Sequence, residues 1–137
     1  MTFLSLKGVA RIEVRIGDIN YGGHMGNDKA LLVFHDARVR YLESLGFTEH
    51  EIGGAAIIMR DAHVGFRKEV FLHDILLVDV GIDDVTQTSF NMLYTVRRES
   101  DDAVVFTGST GLVAFNYDIR KPVKVPDPFL EKIILKY

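Results

Sequence analysis

The amino-acid sequence predicts an α+β domain in which a curved antiparallel sheet of five strands wraps around one long central helix. Three observations support this fold class: one long apolar helix, five runs patterned as strands, and polar turns rather than crossover helices between the later strands. A helix that is apolar around most of its circumference has to be covered, because it would otherwise expose a large apolar surface to water. The 137 residues suit a single domain, residues 1–137.

The first two predicted elements are a strand and the long helix. Apolar and polar residues mostly alternate over Gly8–Ile16, which indicates a half-buried strand. After a polar loop, Asn27 and Asp28 are expected to cap a helix that continues without Gly or Pro until Gly46. The sheet is expected to enclose this helix. Its apolar stripe has helical spacing and comprises Ala30, Val33, Phe34, Ala37, Tyr41 and Leu45, widened by Leu31, Val39 and Leu42.

The remaining elements are mostly strands. Thr48–Ile52 is predicted to form one helical turn. Because short polar turns separate them, four runs are predicted to form an antiparallel meander: Ala55–Lys68, Asp74–Asp83, Ser89–Arg98 and Ala103–Tyr117. Four of their glycines either bend the sheet or simply lie near strand ends: Gly65, Gly81, Gly108 and Gly111. Pro128 is expected to open a last helix, Phe129–Lys136.

Composition narrows the classes of function. The net charge of −3 gives no broad positive surface for nucleic acid, and three dibasic pairs are scattered along the chain: Arg67–Lys68, Arg97–Arg98 and Arg120–Lys121. Each pair is expected to be solvated at a strand end, although one of them can serve a small phosphorylated ligand. The absence of cysteine excludes disulfides, thiolate zinc sites and a cysteine nucleophile. Without a signal-peptide pattern or an apolar run of ~20 residues, the expected location is the cytoplasm, with no membrane partner.

One loop concentrates the polar chemistry of the chain. Residues 16–28 have the sequence IGDINYGGHMGND, which puts acids, amides, a histidine and several glycines between the first strand and the long helix. Such a loop is either a well-made turn or a site that aims backbone N–H groups and a carboxylate at a ligand. Asp18 and Asn20 are common turn residues that bond their own backbone, and His24 can be a structural hydrogen-bond donor.

The loop continues into a second motif on the helix. The two stretches are DINYGGHMGN at Asp18–Asn27 and HDARVRYL at His35–Leu42. They resemble the thioesterase branch of the hotdog fold, which includes 4-hydroxybenzoyl-CoA thioesterase and the short acyl-CoA thioesterases. That branch opens with D-x-D-x-x-G-H-V-N-N, followed by a helix with a pattern like E-x-A-R-x-x-Y-L. The resemblance covers roughly residues 8–126 and includes Asp61–Asp74, Thr107–Thr110 and Arg120–Pro122.

The resemblance implies a metal-independent thioesterase without a cofactor, which hydrolyses an acyl- or aroyl-CoA, or an acyl-carrier thioester, to the free acid and the thiol. It also implies a homodimer or homotetramer, because protomers of that fold join their sheets and hold the substrate between them. The long strand Ala103–Tyr117 would otherwise leave an open edge. Two other functions stay open, a hotdog dehydratase or hydratase and a non-catalytic acyl-CoA-binding module.

Both carboxylates that the family commonly uses are altered in this chain. The second acid of D-x-D is Asn20, which cannot take up a proton near neutral pH. The acid of E-x-A-R is His35, and Asp36 stands one residue later, turned about 100° around the helix. Asp18, Asn20 and His24 instead resemble the D-x-N-x-H set of the plant acyl-carrier-protein thioesterases, with two extra residues before the histidine.

The catalytic residues proposed from this pattern are Asp18, Asn20 and His24. A carboxylate and an imidazole that approach each other can activate water as a base dyad, and Asn20 then orients the substrate or the imidazole. Backbone N–H groups at the helix start would polarise the thioester carbonyl. The alternative takes the base from Asp36 or His35. The residues expected to bind substrate are Gly23, Gly26, Asn27, His35 and Asp36.

The candidates on the helix and the remaining histidines also have structural interpretations. His35 lies on an apolar face of the helix, so it is expected to be a buried core or interface residue unless it touches substrate. Asp36 and Arg38 are expected to be solvated or paired with a partner chain. His63 and His73 have no companion at metal-ligand spacing, so no metal site is expected.

Overall fold

An antiparallel sheet is the framework of the domain in the computed structural model, which describes residues 2–134. The predicted five strands and two helices are confirmed. The strands are β1 (Leu6–Glu13), β2 (Ala56–Phe66), β3 (Ile75–Asp83), β4 (Ser89–Arg98) and β5 (Val104–Asn116), and a two-residue β6 (Lys121–Pro122) was not predicted. The helices are α1 (Ala30–Ser44), which follows a 3₁₀ turn at Asn27–Lys29, and α2 (Asp127–Ile133).

Two segments differ from the prediction in local structure. β1 ends before Ile16, because the chain tightens into a 3₁₀ turn at Ile16–Asp18. The helical turn predicted at Thr48–Ile52 is wrong, since Thr48 and Glu51 exchange backbone hydrogen bonds of 3.0 and 3.2 Å across a reverse turn. A reverse turn suits this point because the chain leaves α1 and has to run back along the sheet as β2.

The order of strands corrects the predicted four-stranded meander. The sheet runs β1-β3-β4-β5-β2, so only β3, β4 and β5 form a meander, and β2 pairs with β5 instead of β3. The connection at residues 67–74 carries the chain from one side of the sheet to the other. Crossing three strand spacings needs about 14 Å, and eight residues reach up to about 26 Å, so a crossover helix is unnecessary.

The same order moves the open edge of the sheet. β5 is bonded to β4 on one side and to β2 on the other, so the expectation that Ala103–Tyr117 leaves an open edge is wrong. The edge strands are β1 and β2. β2 exposes Met59 and Phe66 about half-way. Any pairing with a further strand therefore has to use β1 or β2.

The buried face of α1 packs into the curved sheet. The Phe34 ring stacks on Tyr94 of β4 with centroids 4.4 Å apart and planes 9° apart. The expectation of full enclosure is wrong on the other side, where the Leu32 side chain is 59% exposed. His35 is also exposed and Asp36 is half-buried on that side. The buried side chains of α1 are Ala30, Val33, Phe34, Ala37, Arg38, Tyr41 and Leu42.

The two ends of α1 are built differently. At the C-terminal end Gly46 has φ +86°, and the Phe47 N–H donates to the Leu42 carbonyl over 2.9 Å, which confirms the predicted glycine stop. At the N-terminal end no side chain caps the helix, so the predicted cap by Asn27 and Asp28 is wrong. Asn27 and Asp28 both lie inside the 3₁₀ turn that leads into α1, so the N-cap position falls on Gly26, which has no side chain.

The last helix starts earlier than predicted and is short. α2 begins at Asp127, and Pro128 is its second residue. It ends at Ile133, because Ile134 turns extended and pairs with Phe3 in an antiparallel bridge. Residues 135 and 136 of the predicted helix lie outside the described residues.

A glycine of β5 sets how closely α1 approaches the sheet. A Cβ on Gly108 would overlap the Phe34 ring and the carbonyl oxygen of His63 on β2. On Gly65, in the neighbouring part of β2, a Cβ would meet only Thr107 Oγ1 at an ordinary 3.6 Å. One of these two glycines is therefore required by packing and the other is not.

We expect Gly108→Ala to destabilise the protein by about 1–3 kcal/mol, the usual cost of overpacking a core. The backbone oxygen cannot move aside, so Phe34 and α1 have to shift. Urea unfolding followed by circular dichroism measures the change, and Gly65→Ala is the matched control that should leave the midpoint nearly unchanged. Equal midpoints for the two variants would contradict this packing role.

Candidate active site

The loop that precedes α1 is a tight hairpin. Ile19 and Met25 pair in an antiparallel bridge, and the Asn20 N–H donates to the His24 carbonyl over 3.0 Å. The chain reverses at Gly23, whose φ of +84° favours glycine. The loop thus has its own backbone hydrogen bonds, separate from those of the sheet.

The hairpin is hydrogen-bonded to the connection between β2 and β3. The Met25 N–H donates to the Val70 carbonyl over 2.7 Å, and both side chains are buried. At its base the Gly26 N–H donates to the Asp18 carbonyl over 3.0 Å. Gly26 is buried, with the Asp28 carboxylate against its Cα, so a larger residue would displace that carboxylate.

Asn20 and His24 flank the same glycine. The Asn20 Oδ1 accepts the Gly22 N–H at 2.8 Å, which is the turn role expected of an asparagine here. A Cβ on Gly22 would stand 3.1 Å from Asn20 Oδ1 and 3.4 Å from His24 Nε2. The structure therefore brings the Asn20 and His24 side chains together at Gly22.

The contact made by Nδ1 of His24 indicates which tautomer the neutral imidazole has. Nδ1 lies 3.2 Å from the Met25 carbonyl oxygen. A carbonyl oxygen only accepts hydrogen bonds, so Nδ1 carries the proton and Nε2 keeps a lone pair. The half-buried imidazole is thus arranged to accept a proton at Nε2.

Asp18 has a different position. Its Oδ2 accepts the Arg15 N–H over 2.9 Å, so the carboxylate stabilises the turn that follows β1. Among residues 2–134 no hydrogen bond joins Asp18 to His24, and the two side chains border different cavities. One protomer therefore brings Asn20 to His24 and Asp18 to the neighbourhood of Asp36.

The cavity beside His24, here the His24 cavity, has a volume of about 220 Å³. One wall is the hairpin and the helix start at Asn27, and the other is the chain that follows β2. In the described part of the chain, the backbone N–H groups of Asn27 and Asp28 have no acceptor. Its lining is His24, Met25, Asn27, Phe66, Arg67, Lys68, Glu69, Val70 and Phe106.

A smaller cavity, here the Asp18 cavity, has a volume of about 130 Å³ and lies between β1, β3 and the first turns of α1. Its walls are mostly apolar, with three charged groups. Met25 borders this cavity and the His24 cavity as well. Its lining is Ile12, Val14, Asp18, Met25, Lys29, Leu32, Val33, Asp36 and Leu76.

Two basic residues at the His24 cavity carry charges without an internal partner. Arg67 and Lys68 both donate their backbone N–H to the Val105 carbonyl, at 2.9 and 3.0 Å, as in a β-bulge. This geometry lets consecutive side chains reach the same cavity. Arg97 and Arg98 are each paired with two carboxylates, whereas residues 2–134 hold no carboxylate in ion-pair contact with Arg67 or Lys68. The dibasic motif was the sequence signal for this pair.

The helix motif serves mainly to hold α1 in place. Arg38 is buried, donates to Glu49 over 2.9 Å and to the Tyr94 hydroxyl over 3.2 Å, so the expectation that it is solvated or paired with a partner chain is wrong. Tyr94 in turn contacts the Thr110 hydroxyl over 2.8 Å. Burial raises the pKa of Tyr94, which keeps this hydroxyl neutral. The Arg38 guanidinium is tolerated among apolar side chains because Glu49 and the Tyr94 hydroxyl both accept its hydrogen bonds.

His35 and Asp36 point away from the core. The His35 side chain is 51% exposed, so the expectation that it lies in the core is wrong, whereas a place in an interface stays a prediction. Its Nε2 lies 2.6 Å from the Glu49 carboxylate. Burial pushes the pKa of Glu49 upward, but the donors Arg38 and His35 outweigh it and leave that pKa below its ordinary value. Asp36 accepts from Arg40 one turn further along α1. Neither His35 nor Asp36 borders the His24 cavity.

No helix within residues 2–134 is long and apolar enough to cross a membrane. In the same residues no group of three or more His, Cys, Asp or Glu side chains is arranged to hold a metal ion.

Comparison with known proteins identifies a family. A model of the thioesterase-like superfamily matches residues 14–133. None of the curated proteins matches the chain. A 1,4-dihydroxy-2-naphthoyl-CoA thioesterase from Synechocystis is 20% identical, with a TM-score of 0.84 over 94% of this chain and 95% of that one.

Two structures from Staphylococcus aureus are also similar. A DHNA-CoA thioesterase is 22% identical, with a TM-score of 0.77 over 90% of this chain and 81% of that one. A hypothetical protein in complex with CoA is 20% identical, with a TM-score of 0.83 over 96% of this chain and 83% of that one. These likenesses confirm the hotdog fold that the motifs predict.

Proposed function

The chain belongs to the thioesterase-like superfamily, and on that premise we propose that it hydrolyses an acyl- or aroyl-coenzyme A thioester to the free acid and coenzyme A. The observation that carries the proposal is the His24 cavity, which is bordered by the His24 imidazole and by Asn27, whose backbone N–H has no acceptor within residues 2–134. The similar structures named as CoA thioesterases support the choice of substrate class.

The start of α1 is suited to polarise a thioester carbonyl. The N–H groups of Asn27 and Asp28 are without acceptors in residues 2–134, and they carry the positive end of the helix dipole. Negative charge develops on the carbonyl oxygen when a nucleophile adds, and fixed donors stabilise it without reorganisation. Asn27 belongs to this donor pair through its backbone.

His24 is the proposed base. Its Nε2 takes a proton from water, and the resulting hydroxide adds to the carbonyl carbon. The intermediate collapses by breaking the carbon–sulfur bond, and the imidazolium returns the proton to the departing thiolate. The Asn20 Oδ1 is engaged by Gly22, so its amide N–H groups remain to orient the imidazole or the substrate. Gly23 keeps the hairpin turn that brings the two side chains together.

Asp18 enters the proposal as the carboxylate partner of His24. It lies on the same hairpin but accepts the Arg15 N–H, so a dyad requires its side chain to rotate when substrate or a second protomer is present. Asp36 and His35 are proposed to contact the substrate, Asp36 from the Asp18 cavity that it borders and His35 from the exposed side of α1.

Two basic residues at the His24 cavity are suited to bind the phosphates of coenzyme A. Arg67 and Lys68 supply a guanidinium for bidentate contacts and an ammonium as a point charge, with no internal ion pair in the described residues to break first. Glu69 is the one carboxylate on that wall. An anionic thiol carrier is therefore favoured over a neutral one. The cytoplasmic location stays a prediction of the sequence.

A second protomer is proposed to complete the site along β2. The strand has no partner on its outer side within residues 2–134, and an open edge invites pairing. Phe66 belongs to this edge and also borders the His24 cavity, so a partner chain there would extend the cavity. At about 220 Å³ the cavity is smaller than the ~300–1,000 Å³ usual for a ligand site.

The proposal predicts thiol release from acyl-CoA esters without added metal or nucleotide. A panel of short-chain, long-chain and aromatic acyl-CoAs, with a free-thiol readout, measures it. Tight binding of every ester with no thiol release would identify a non-catalytic acyl-CoA-binding module instead. Conversion of the acyl chain with the thioester intact would identify a dehydratase or hydratase.

We expect His24→Gln to lower kcat by about 10²–10⁴, because the amide keeps a polar side chain but cannot take the proton. Asp18→Asn tests the dyad, which predicts a loss of the same order, whereas His24 acting alone predicts nearly unchanged kcat. Asn20→Asp should be tolerated. Steady-state kcat and KM separate these outcomes, and His35→Gln or Asp36→Asn carrying the large loss would assign the base to α1 and refute His24.

We expect the protein to be at least a homodimer, and light scattering should give twice or four times the mass of one chain. Met59→Glu on β2 puts charge at the proposed interface and should shift the protein toward monomers at micromolar concentration. Ile16→Glu is the control, since Ile16 is 76% exposed and follows β1, at the opposite edge of the sheet from β2. A monomeric wild-type particle would refute the pairing.

A further inference from the structure

Met25 borders both the His24 cavity and the Asp18 cavity. We propose that Met25 determines which acyl groups the protein accepts, because its side chain closes the His24 cavity against an apolar acyl pocket, the Asp18 cavity. The inference rests on the proposed thioesterase function and specifies the acyl side of the same site.

The chemistry of the Asp18 cavity suits an acyl chain. Two thirds of its lining residues are aliphatic or methionine, and they come from β1, β3, the hairpin and α1. The charged groups are Asp18, Lys29 and Asp36, and the Asp36 carboxylate is already held by Arg40. The His24 cavity, in contrast, is bordered by Arg67, Lys68 and Glu69 and suits the polar thiol carrier.

Size points in the same direction. The cavities have volumes of about 220 and 130 Å³, and each alone is below the ~300–1,000 Å³ usual for a small-molecule site. Joined, they reach the lower part of that range. Asn27, in the 3₁₀ turn that leads into α1, borders the His24 cavity, and Leu32 and Val33 of α1 border the Asp18 cavity. A thioester carbonyl at the Asn27 N–H would therefore have the acyl pocket beyond Met25.

The Met25 backbone is fixed while its side chain can adapt. The N–H is bonded to the Val70 carbonyl, and Ile19 pairs with Met25 across the hairpin. The side chain is only 6% exposed, but methionine has three rotatable side-chain bonds and adjusts to irregular gaps. A rotation of this one side chain is therefore enough to change the depth of the site without moving the hairpin.

Shortening this residue tests the proposal. Met25→Ala should raise kcat/KM for long acyl-CoAs relative to short ones about tenfold or more, since two further buried methylenes already contribute that factor. A series of straight-chain acyl-CoAs with the thiol readout measures the ratio. Met92→Ala is the matched control, because Met92 is also buried but borders neither cavity. It should change all chain lengths alike.

Other measurements keep the test decisive. If Met25→Ala does not fold, Met25→Val removes less volume and should shift the same ratio in the same direction. Binding of non-hydrolysable S-alkyl-CoA thioethers, measured by calorimetry, reports the pocket even if the wild-type protein releases no thiol. Long thioethers bound more tightly by the variant support the proposal in that case. An unchanged chain-length profile in both Met25 variants would overturn it, whether or not the protein is a thioesterase.

Discussion

The close approach of the Phe34 ring to the Gly108 backbone controls the position of α1, and the rest of the structure depends on it. The ring lies between β5 below and Tyr94 beside it, at a point where the sheet has no Cβ. The depth at which α1 packs into the sheet also determines the position of the start of the helix. The backbone N–H groups at Asn27 thus owe their direction to a packing contact about two turns further along the helix.

A second constraint holds the other half of α1. Removing a guanidinium from water is costly unless its partners are in place, and Arg38 has both the Glu49 carboxylate and the Tyr94 hydroxyl. These contacts bond α1 to Tyr94 of β4 and to Glu49 in the reverse turn that follows α1. Arg38, which the family pattern puts three positions after a common active-site acid, works here as a structural anchor.

The sequence was informative where structure follows from local pattern. The strand bounds of β4 and the glycine stop at Gly46 depend on neighbouring residues, so alternation and a missing Cβ were sufficient to predict them. The pairing of β2 with β5 depends on residues about fifty positions apart, and nothing in the local pattern of β2 distinguishes β3 from β5 as its partner. Polar turns between strands were compatible with either order.

The candidate site was predictable in part for the same reason. The hairpin composition identified His24 and Asn20, which the structure brings together at Gly22. The separation of Asp18 from His24 follows from the hairpin register, which a loop sequence does not reveal. The role of Met25 was not predictable, because the sequence does not distinguish a loop methionine that packs in the core from one that lines a cavity.

The hydrogen bond from Met25 to Val70 joins the two walls of the His24 cavity. Walls connected through the backbone keep their separation whether the space between them is empty or filled. The backbone on both sides of the opening is therefore in place before a molecule enters, so little backbone ordering entropy is lost on binding. What adjusts to the acyl group is a side chain such as that of Met25, and a rotamer change is faster than the movement of a hinge or lid.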